Sequence, residues 1–406
     1  MSNAQAHRLA PWIIILAGVV AAVHVGKLPP AVPVLQSELG ISLVQAGFLL
    51  SLVQLGSVLF GLVAGLVADS AGLRRCMLAG LALLILAGLL GAAGRSAGQL
   101  LLLRALESVG FLLTVVPAPG LLRQTVLASS LTRVLGIWGG FFPLGAAFAL
   151  LVGPLAISGL RWQGWWVLTA ALSALVAWWM WRVVPVDGAR PIASGVAIDT
   201  GGWPQRLRLT LTSRGPWLAA LLFMVYSGQW LAVVGFLPTL YQEAGWGVSH
   251  VAVLTALVAA ANISGNVAAR YGLHNGVRPA VLLWLGFAAM AAGAWLAFAV
   301  DLEHVAWLRY AGALMFSAVG GLIPGTLWAL APSVAPNERS IASTVGWMQQ
   351  LSALGQFSGP PLVAWVASRA GGWHWTWVVT GACCCVGAAL VLMLQLQLRG
   401  ADRDRC

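Results

Sequence analysis

The sequence predicts an all-α integral membrane protein of twelve transmembrane helices, arranged as two related six-helix bundles. Three observations predict this class. The 406-residue chain is 60% hydrophobic and only 8% charged, whereas a soluble domain carries about 25% charged residues. Apolar runs of ~20 residues recur along nearly the whole chain, and each is long enough to cross a ~30 Å hydrocarbon core as a helix. The two halves of the chain also repeat each other.

The repeat is visible in residues that return 205 positions later. The matched pairs are Trp12 and Trp217, Glu38 and Glu243, Arg104 and Arg309, and Pro119-Gly120 and Pro324-Gly325. A duplicated helical bundle is the architecture of secondary transporters, which place the substrate site between the two repeats. The repeat therefore predicts a transporter with a central site.

Each predicted span follows one apolar run. In the first half the spans are 11–35, 43–68, 76–94, 99–122, 134–158 and 164–183. In the second half they are 215–239, 249–270, 279–300, 305–328, 341–367 and 373–397. The polar stretch between them predicts three parts: a first bundle over 1–183, a cytoplasmic linker over 184–214, and a second bundle with a short cytoplasmic tail over 215–406. We expect the first run to be a retained span, because no small-residue cleavage site follows it.

Arginines predict the orientation, because basic loops stay cytoplasmic. With the N-terminus inside, the outside segments hold three arginines, which are Arg95, Arg161 and Arg369. The inside segments hold sixteen, which are Arg8, Arg74, Arg75, Arg123, Arg133, Arg182, Arg190, Arg206, Arg208, Arg214, Arg270, Arg278, Arg339, Arg399, Arg403 and Arg405. This asymmetry predicts that both termini are cytoplasmic, and we expect a bacterial inner membrane.

Several classes of function are not indicated. The formal net charge of +11 does not point to nucleic acid, because the basic residues lie in short segments between apolar runs. The five cysteines lack the CxxC spacing and the histidine partners of a zinc site. No nucleotide-binding loop and no catalytic arrangement of nucleophile and base is visible. We therefore expect no metal, no cofactor and no enzyme activity, with energy drawn from an ion or substrate gradient.

The loop after the second predicted span carries a motif. It reads Gly65-Leu66-Val67-Ala68-Asp69-Ser70-Ala71-Gly72-Leu73-Arg74-Arg75. This resembles the signature loop of the major facilitator superfamily, which has a Gly, an Ala-Asp pair, a Gly and two basic residues. Gly65 would allow a close helix approach. Asp69 would cap the neighbouring helix and pair with Arg74 or Arg75, which would lock one side of the transporter shut.

Two further motifs fit this resemblance in part. Span four reads Arg104-Ala105-Leu106-Glu107-Ser108-Val109-Gly110. It is similar to the superfamily's Arg-x-x-Gln-Gly-x-Gly element, with Glu107 at the Gln position and Ser108 at the first Gly. Gly153-Pro154 in span five resembles the bending motif of drug/proton antiporters, but the Gly pair that should follow is missing. In general appearance the chain looks most like the cyanate and nitroimidazole transporters.

Apart from Arg182 and Arg270 at the cytoplasmic ends of their spans, four charged residues fall within predicted spans: Lys27, Arg104, Glu107 and Arg309. A charge in hydrocarbon costs at least ~2.5–3.5 kcal/mol, so each must face protein or water. The resemblance implies that spans one, four, seven and ten line the central cavity. At ~1.5 Å per residue the three cations would lie at one level, about 6 Å below the outer edge of the hydrocarbon core. Glu107 and His24 would lie one turn deeper.

Two interpretations of these charges stay open. In the structural one, Arg104 pairs with Glu107 or with a carbonyl near the outer surface, and Lys27 extends outward to the interface. In the functional one, three cations against one acid attract an anion. That anion would bind between the Arg104 and Arg309 guanidinium groups across the pseudo-two-fold axis. His24 and Glu107 are the candidates for proton coupling, although a simple hydrogen-bonded pair would also explain them.

Aromatic and amide side chains supply candidate walls for the substrate site. On span seven these are Tyr226, Gln229 and Trp230, which packing alone would also explain. Pro119-Gly120 and Pro324-Gly325 occupy matched positions in spans four and ten. Proline is tolerated within membrane helices where neighbours or cavity water satisfy the freed carbonyls. We expect these two pairs to be the flexing points of alternating access.

We predict a secondary transporter, monomeric in function, that moves a small organic or inorganic anion by alternating access with proton coupling. Its partners would be the small-molecule substrate, the proton and membrane lipid. The alternative within transport is a proton-driven exporter of amphipathic compounds, which would use the aromatic residues for binding. The alternative of another class is a membrane receptor or scaffold, which would keep the bundle but show no flux. A lipid-acting enzyme is opposed by the missing catalytic groups.

Overall fold

Two compact helical units make up the structure. The computed structural model describes residues 3–187, 203–299, 306–337 and 340–403, and within these ranges it contains helices and no strand. One unit is Met1–Ile198 with Gly235–Ala256, and the other is Asp199–Val234 with Leu257–Cys406. The predicted all-α membrane fold is confirmed. The predicted domain limits at 183 and 215 stay a prediction.

The first half of the chain forms nine α-helices in its described residues. They are α1 (Asn3–Gly26), α2 (Val32–Leu39), α3 (Leu43–Ser51), α4 (Leu55–Ala71), α5 (Leu73–Ala92), α6 (Ala97–Val115), α7 (Ala118–Thr125), α8 (Ala128–Trp138) and α9 (Phe141–Val183). The helix α9 covers two predicted spans, and its backbone leaves the helical region at Arg161, where φ is 61° and ψ is 170°. Within the first unit α1 packs on α9, and α5 packs on both α6 and α9.

The second half forms eight α-helices in its described residues. They are α10 (Trp203–Thr212), α11 (Arg214–Glu243), α12 (Val248–His274), α13 (Pro279–Ala294), α14 (Ala306–Gly320), α15 (Leu322–Val334), α16 (Ile341–Ala370) and α17 (Thr376–Arg403). A π-helical turn at Trp295–Ala299 extends α13. Within the second unit α13 packs on α14 and α17.

Ten helical stretches of the described chain are long and apolar enough to cross a membrane. One of them, Arg133–Val183, is 51 residues long and contains the break at Arg161. The 30-residue helix α16 is not one of the ten. A count of twelve would require dividing the long stretch at Arg161 and adding α16, so the twelve predicted spans stay a prediction. The orientation of these spans in a membrane stays a prediction.

The first span is broken at Lys27 and Leu28, between α1 and a 3-10 turn at Pro29–Ala31. Pro29 and Pro30 have no backbone N–H, so they cannot continue the hydrogen-bond ladder of α1. The carbonyl of Lys27 instead accepts a hydrogen bond from Trp165 Nε1 at 3.1 Å. The apolar run predicted one continuous span over 11–35, and the structure shows this break within it.

Spans four and ten are broken at matched positions. In span four the break lies between α6 and α7, and in span ten it lies at Gly321, between α14 and α15. Both breaks come just before the predicted flexing points. Pro119-Gly120 and Pro324-Gly325 therefore lie in the first turns of α7 and α15, where a missing proline N–H costs no helical hydrogen bond. Whether these pairs flex stays a prediction.

Part of the predicted linker is helical. Within 184–214, the helix α10 packs on α16, and Thr210 Oγ1 lies 2.7 Å from Ser343 Oγ. Thr210 is fully buried by this packing. The arginines and the proline within α10 had indicated a loop. The contact that stabilises the helix there comes from Ser343, which is more than a hundred positions away in the chain. Residues 188–202 of the linker lie outside the described ranges.

Candidate functional site

Four predicted site residues of the first half meet in one buried cluster. His24 and Lys27 come from α1 and its end, and Arg104 and Glu107 come from α6. None of the four is more than 2% exposed. We call these four residues the Glu107 cluster. The structure thus brings together a carboxylate, two cations and a histidine, whose positions in the sequence predicted neighbouring depths on two spans.

Glu107 is the shared partner of both cations. One carboxylate oxygen, Oε1, accepts a hydrogen bond from Lys27 Nζ, and the other, Oε2, accepts one from Arg104 Nη1. Oε1 also lies 3.2 Å from His24 Nδ1. Burying an ion costs several kcal/mol unless it is paired and hydrogen-bonded. The contacts of Glu107 therefore offset the cost of placing the two cations inside the bundle.

Arg104 is further anchored by backbone carbonyls. Its Nε donates to Leu49 O at 2.9 Å, and its Nη1 donates to His24 O at 2.7 Å. These bonds join α6 to α3 and α1. The remaining nitrogen, Nη2, is buried and has no hydrogen-bond partner. Arg104 lines a small pocket together with Leu28, Leu49, Ala87, Leu100, Leu103, Glu107 and Trp166.

The contacts of Lys27 are fewer. Besides Glu107, its Nζ lies 3.4 Å from His24 Nδ1 and 4.9 Å from the centre of the Trp166 ring. A cation over an aromatic face gains about 0.5–2 kcal/mol. Lys27 is fully buried, so it does not extend outward to the interface as the structural interpretation expected. The packing of α9 over the end of α1 closes that path.

The tautomer of His24 follows from its neighbours. Ser173 Oγ donates its single proton to Thr169 O at 3.0 Å, so His24 Nε2 must donate to Ser173 Oγ, which lies 2.8 Å away. The other ring nitrogen, Nδ1, then faces both Glu107 Oε1 and Lys27 Nζ. An Nδ1–carboxylate hydrogen bond needs one further proton, on the imidazole or on the carboxyl group. The geometry therefore has room for one exchangeable proton.

A polar and aromatic network occupies the second unit. Asn262 Nδ2 donates to Tyr226 Oη at 2.7 Å and to Ser317 O at 2.9 Å. Trp230 Nε1 donates to Ser317 Oγ at 3.0 Å. All four residues are buried. Tyr226 and Trp230, which were predicted as walls of the substrate site, are thus joined through Asn262 and Ser317.

Two other predicted residues of the second unit do not take part in these three hydrogen bonds. Gln229 accepts a hydrogen bond from Cys384 Sγ at 3.5 Å, and its Nε2 is buried without a hydrogen-bond partner. Arg309 is half-buried on α14. The predicted placement of Arg104 opposite Arg309 across the pseudo-two-fold axis stays a prediction.

The loop between α4 and α5 is held by an acid from the end of the first half. Asp187 Oδ1 accepts from Arg74 N at 2.9 Å, and Oδ2 accepts from Arg75 N at 3.1 Å. These bonds cap the N-terminus of α5. Gly72 has φ of +99°, and a Cβ there would lie 2.4 Å from Asp187 Oδ2. The motif thus needs glycine for both its backbone and its contact with the cap.

The cap supplied by Asp187 was not foreseen, since this acid lies in the predicted linker. The side chain of Asp69 and the surroundings of Gly65 lie outside the described part of α4, so the predicted role of Asp69 stays a prediction. Three further hydrogen-bond partners in the site were also not predicted from the sequence. They are Ser173, Ser317 and the carbonyl of Leu49. Serine and backbone carbonyls carry no distinct sequence signal, because they occur throughout the apolar spans.

Comparison with known proteins gives a family match. The sequence model described as Major Facilitator Superfamily matches residues 14–357. A stretch of 174 residues is 33% identical to the puromycin resistance protein pur8 of Streptomyces alboniger, and it covers 42% of this chain and 34% of that protein. This chain therefore matches about a third of the length of that curated relative.

Solved structures share the fold. One is a bacterial homologue of the human lysosomal transporter Spinster in an inward-facing and unoccupied conformation, with a TM-score of 0.72, 16% identity, and coverage of 97% of this chain and 96% of that one. Another is a variant of the nucleoside transporter NupG, with a TM-score of 0.76, 12% identity, and coverage of 95% and 99%. At such identities the likeness shows the fold alone.

Proposed function

Because the chain belongs to the major facilitator superfamily, a family of membrane transporters, we propose that it couples the movement of a small anion to the movement of protons. The Glu107 cluster is the proposed coupling site. The observation that carries this proposal is the sharing of one carboxylate, Glu107, by two buried cations, Lys27 and Arg104. The cyanate and nitroimidazole subgroup, the functional monomer and the bacterial inner membrane remain proposals.

Charge balance is the physical basis of the coupling. With Glu107 ionised, the cluster holds two cations and one anion. If Glu107 takes up a proton, Lys27 and Arg104 lose their shared counter-ion inside the bundle, and uncompensated buried charge is costly. A small anion that enters beside them restores the balance. Proton and anion therefore bind better together than either binds alone, and this mutual effect is reciprocal by thermodynamic linkage.

The contacts of the two cations suggest different roles. Arg104 is tied to two backbone carbonyls as well as to Glu107, so it keeps its place when Glu107 changes its charge. Its Nη2 lacks a hydrogen-bond partner and could donate to an anion in the adjoining pocket. Lys27 is held by fewer bonds and is the more mobile cation in this proposal. Tyr226, Gln229, Trp230 and Arg309 are proposed to contact substrate from the second unit.

Flux measurements on reconstituted protein test the proposal. Formate, acetate, nitrate and cyanate would be offered to proteoliposomes with an acidic exterior. We expect wild-type protein to accumulate at least one of them, and Glu107→Gln to exchange that anion without accumulating it, because the amide is neutral at every pH. The matched control is Glu38→Gln, since Glu38 is an exposed acid of the same unit that pairs with Arg161 at 3.4 Å. Glu38→Gln should behave as wild type.

A second variant covers the possibility that Glu107→Gln fails to fold. Lys27→Met leaves Arg104 and Glu107 as a balanced pair, so the variant should be stable, and we expect it to lose proton-driven anion uptake at least tenfold. Full proton-driven accumulation by Glu107→Gln, or by a folded Lys27→Met protein, would contradict the coupling role.

A second candidate function is the export of amphipathic compounds. It is favoured by the 33% identity to a puromycin resistance protein over 174 residues, and by the buried polar and aromatic network of Tyr226, Trp230, Asn262 and Ser317. Aromatic faces with a few hydrogen-bonding groups suit such ligands. A thermal-shift screen separates the candidates, because stabilisation by puromycin and lipophilic cations, with none by small anions, would favour export.

A further inference from the structure

A patch of arginine and tryptophan lies at the end of α9 and the start of α5. The Arg182 guanidinium lies 5.7 Å from the centre of the Trp178 ring and 5.4 Å from that of Trp181. Both indoles are more than half exposed, at 55% and 57%. Arg74 and Arg75 begin α5 beside this end of α9, since Arg74 Nη2 donates to Trp181 O at 2.7 Å. We call these five residues the Arg182 patch.

The patch has an excess of positive charge. Asp187 is its neighbouring acid, and both carboxylate oxygens accept backbone N–H groups of α5 rather than a guanidinium group. Among the side chains that the structure describes, none of the three arginines of the patch forms a salt bridge. Arg74 is 8% exposed, and its Nε is buried without a hydrogen-bond partner. Two exposed cations and one unsatisfied donor are therefore carried by two helix ends that are in contact.

The patch also lies at headgroup depth. Trp162 precedes span six and Arg182 lies at its end. The two residues are twenty positions apart in α9, which corresponds to ~30 Å of helix, about the thickness of the hydrocarbon core. Trp178 is one turn further into the core than Arg182. Tryptophan favours this boundary between hydrocarbon and headgroups. In the predicted orientation the patch faces the cytoplasmic leaflet, where anionic lipids attract clustered basic residues.

We propose that the Arg182 patch binds the headgroup phosphate of an anionic phospholipid. Arg182 and Arg75 would donate to the phosphate oxygens, and the exposed faces of Trp178 and Trp181 would lie along the upper acyl chains. A free phosphate ion would use the arginines alone, whereas the two exposed indoles beside them fit a ligand that is charged at one end and apolar at the other. This site is separate from the Glu107 cluster and does not depend on the proposed transport reaction.

Native mass spectrometry of the detergent-purified protein tests the site by titration with phosphatidylglycerol, cardiolipin and phosphatidylcholine. We expect the anionic lipids to bind and Arg75→Gln/Arg182→Gln to weaken their binding roughly 30-fold, on the basis of about 1 kcal/mol per basic residue at an anionic surface. The matched control is Arg369→Gln. The Arg369 guanidinium lies 6.0 Å from the centre of the exposed Trp365 ring. This variant therefore also removes an arginine that contacts a tryptophan, but on the predicted outer side of the membrane. It should leave lipid binding unchanged.

Three results would overturn the proposal: equal binding of phosphatidylcholine, unchanged binding of the anionic lipids by the double variant, or an equal loss in Arg369→Gln. A further arm adds inorganic phosphate as competitor. Displacement of the lipid by millimolar phosphate would show that the patch is a simple anion site. This result would also overturn the proposal of a lipid site. Both substituted arginines of the double variant are exposed, so the protein is expected to fold.

Discussion

Arg104 and Lys27 carry the same charge, but their surroundings give them different tasks. Arg104 spreads its donors over Glu107 and two backbone carbonyls from neighbouring helices. A planar guanidinium group presents five N–H donors in a fixed fork, so it can reach acceptors on several sides at once. Lys27 has one strong partner, Glu107, and an aromatic face beside it. Arg104 therefore positions Glu107, while Lys27 is the cation that can respond when the charge of Glu107 changes.

This difference predicts the outcome of a conservative change. Arg104→Lys keeps the charge but cannot reach both Leu49 O and His24 O, so at least one buried carbonyl loses its partner. We expect the free energy of unfolding to fall by about 2 kcal/mol or more, given 1.5–3 kcal/mol for a hydrogen bond to a charged group. Thermal unfolding in detergent measures it. The exposed Arg95→Lys is the control, and equal stability of the two variants would contradict the anchoring role.

Among helices, close packing depends on glycines at facing positions. In the second unit α11 and α16 approach so closely that a Cβ at Gly355 would lie 2.1 Å from Met224 O, and a Cβ at Gly228 would lie 2.6 Å from Gly355 O. Small residues let membrane helices gain van der Waals contact and interhelical hydrogen bonds. Ser227 Oγ uses this proximity to donate to Ser352 O at 2.8 Å.

A single added methyl group tests this packing. Gly355→Ala forces α11 and α16 apart, because the obstructing atom is a backbone oxygen that cannot turn away. We expect a loss of about 1–3 kcal/mol in stability, as for other overpacked interiors, read as a lower thermal midpoint. Gly381→Ala is the matched control, since nothing lies within 4 Å of a Cβ at that position. If both variants unfold at the same temperature, the close approach does not stabilise the unit.

Across the whole molecule, the two halves share their repeat but not their chemistry. At a spacing of 205 residues, His24 is replaced by Gln229, Lys27 by Ala232 and Glu107 by Gly312, and Arg104 alone returns as an arginine. A Cβ at Gly312 would lie 2.7 Å from Gly293 O, so an acid cannot enter there without moving α13. In our proposal, therefore, only the first half of the chain binds a proton on a buried carboxylate.

The orientation of the whole molecule is testable by chemical labelling. In a chain whose five cysteines are replaced by serine, we expect Gly98→Cys to react with an impermeant maleimide in intact cells. Asn275→Cys should react only after permeabilisation, because the arginine-rich loops stay inside. Both positions are exposed in the structure. The reverse pattern of labelling would contradict the predicted topology.

Local properties of the sequence were sufficient to predict the helices and part of the candidate site. The length and apolarity of each run predict a span without reference to the helices that pack against it, and the matched Pro-Gly pairs predict flexing points in spans four and ten. The cost of charge in hydrocarbon alone required partners for Lys27, Arg104 and Glu107. These conclusions need only composition and spacing, so they follow from the sequence by itself.

The identity of the partners was decided by tertiary packing. Glu107 meets Lys27 across 80 positions of chain, His24 meets Ser173 across 149, and Asp187 caps α5 across 113. Such contacts depend on how α1, α6 and α9 pack, and a serine or carbonyl in an apolar run gives no sign of its partner. The sequence therefore determined that this protein spans a membrane with buried charges, whereas only the tertiary structure decided that one carboxylate serves two cations.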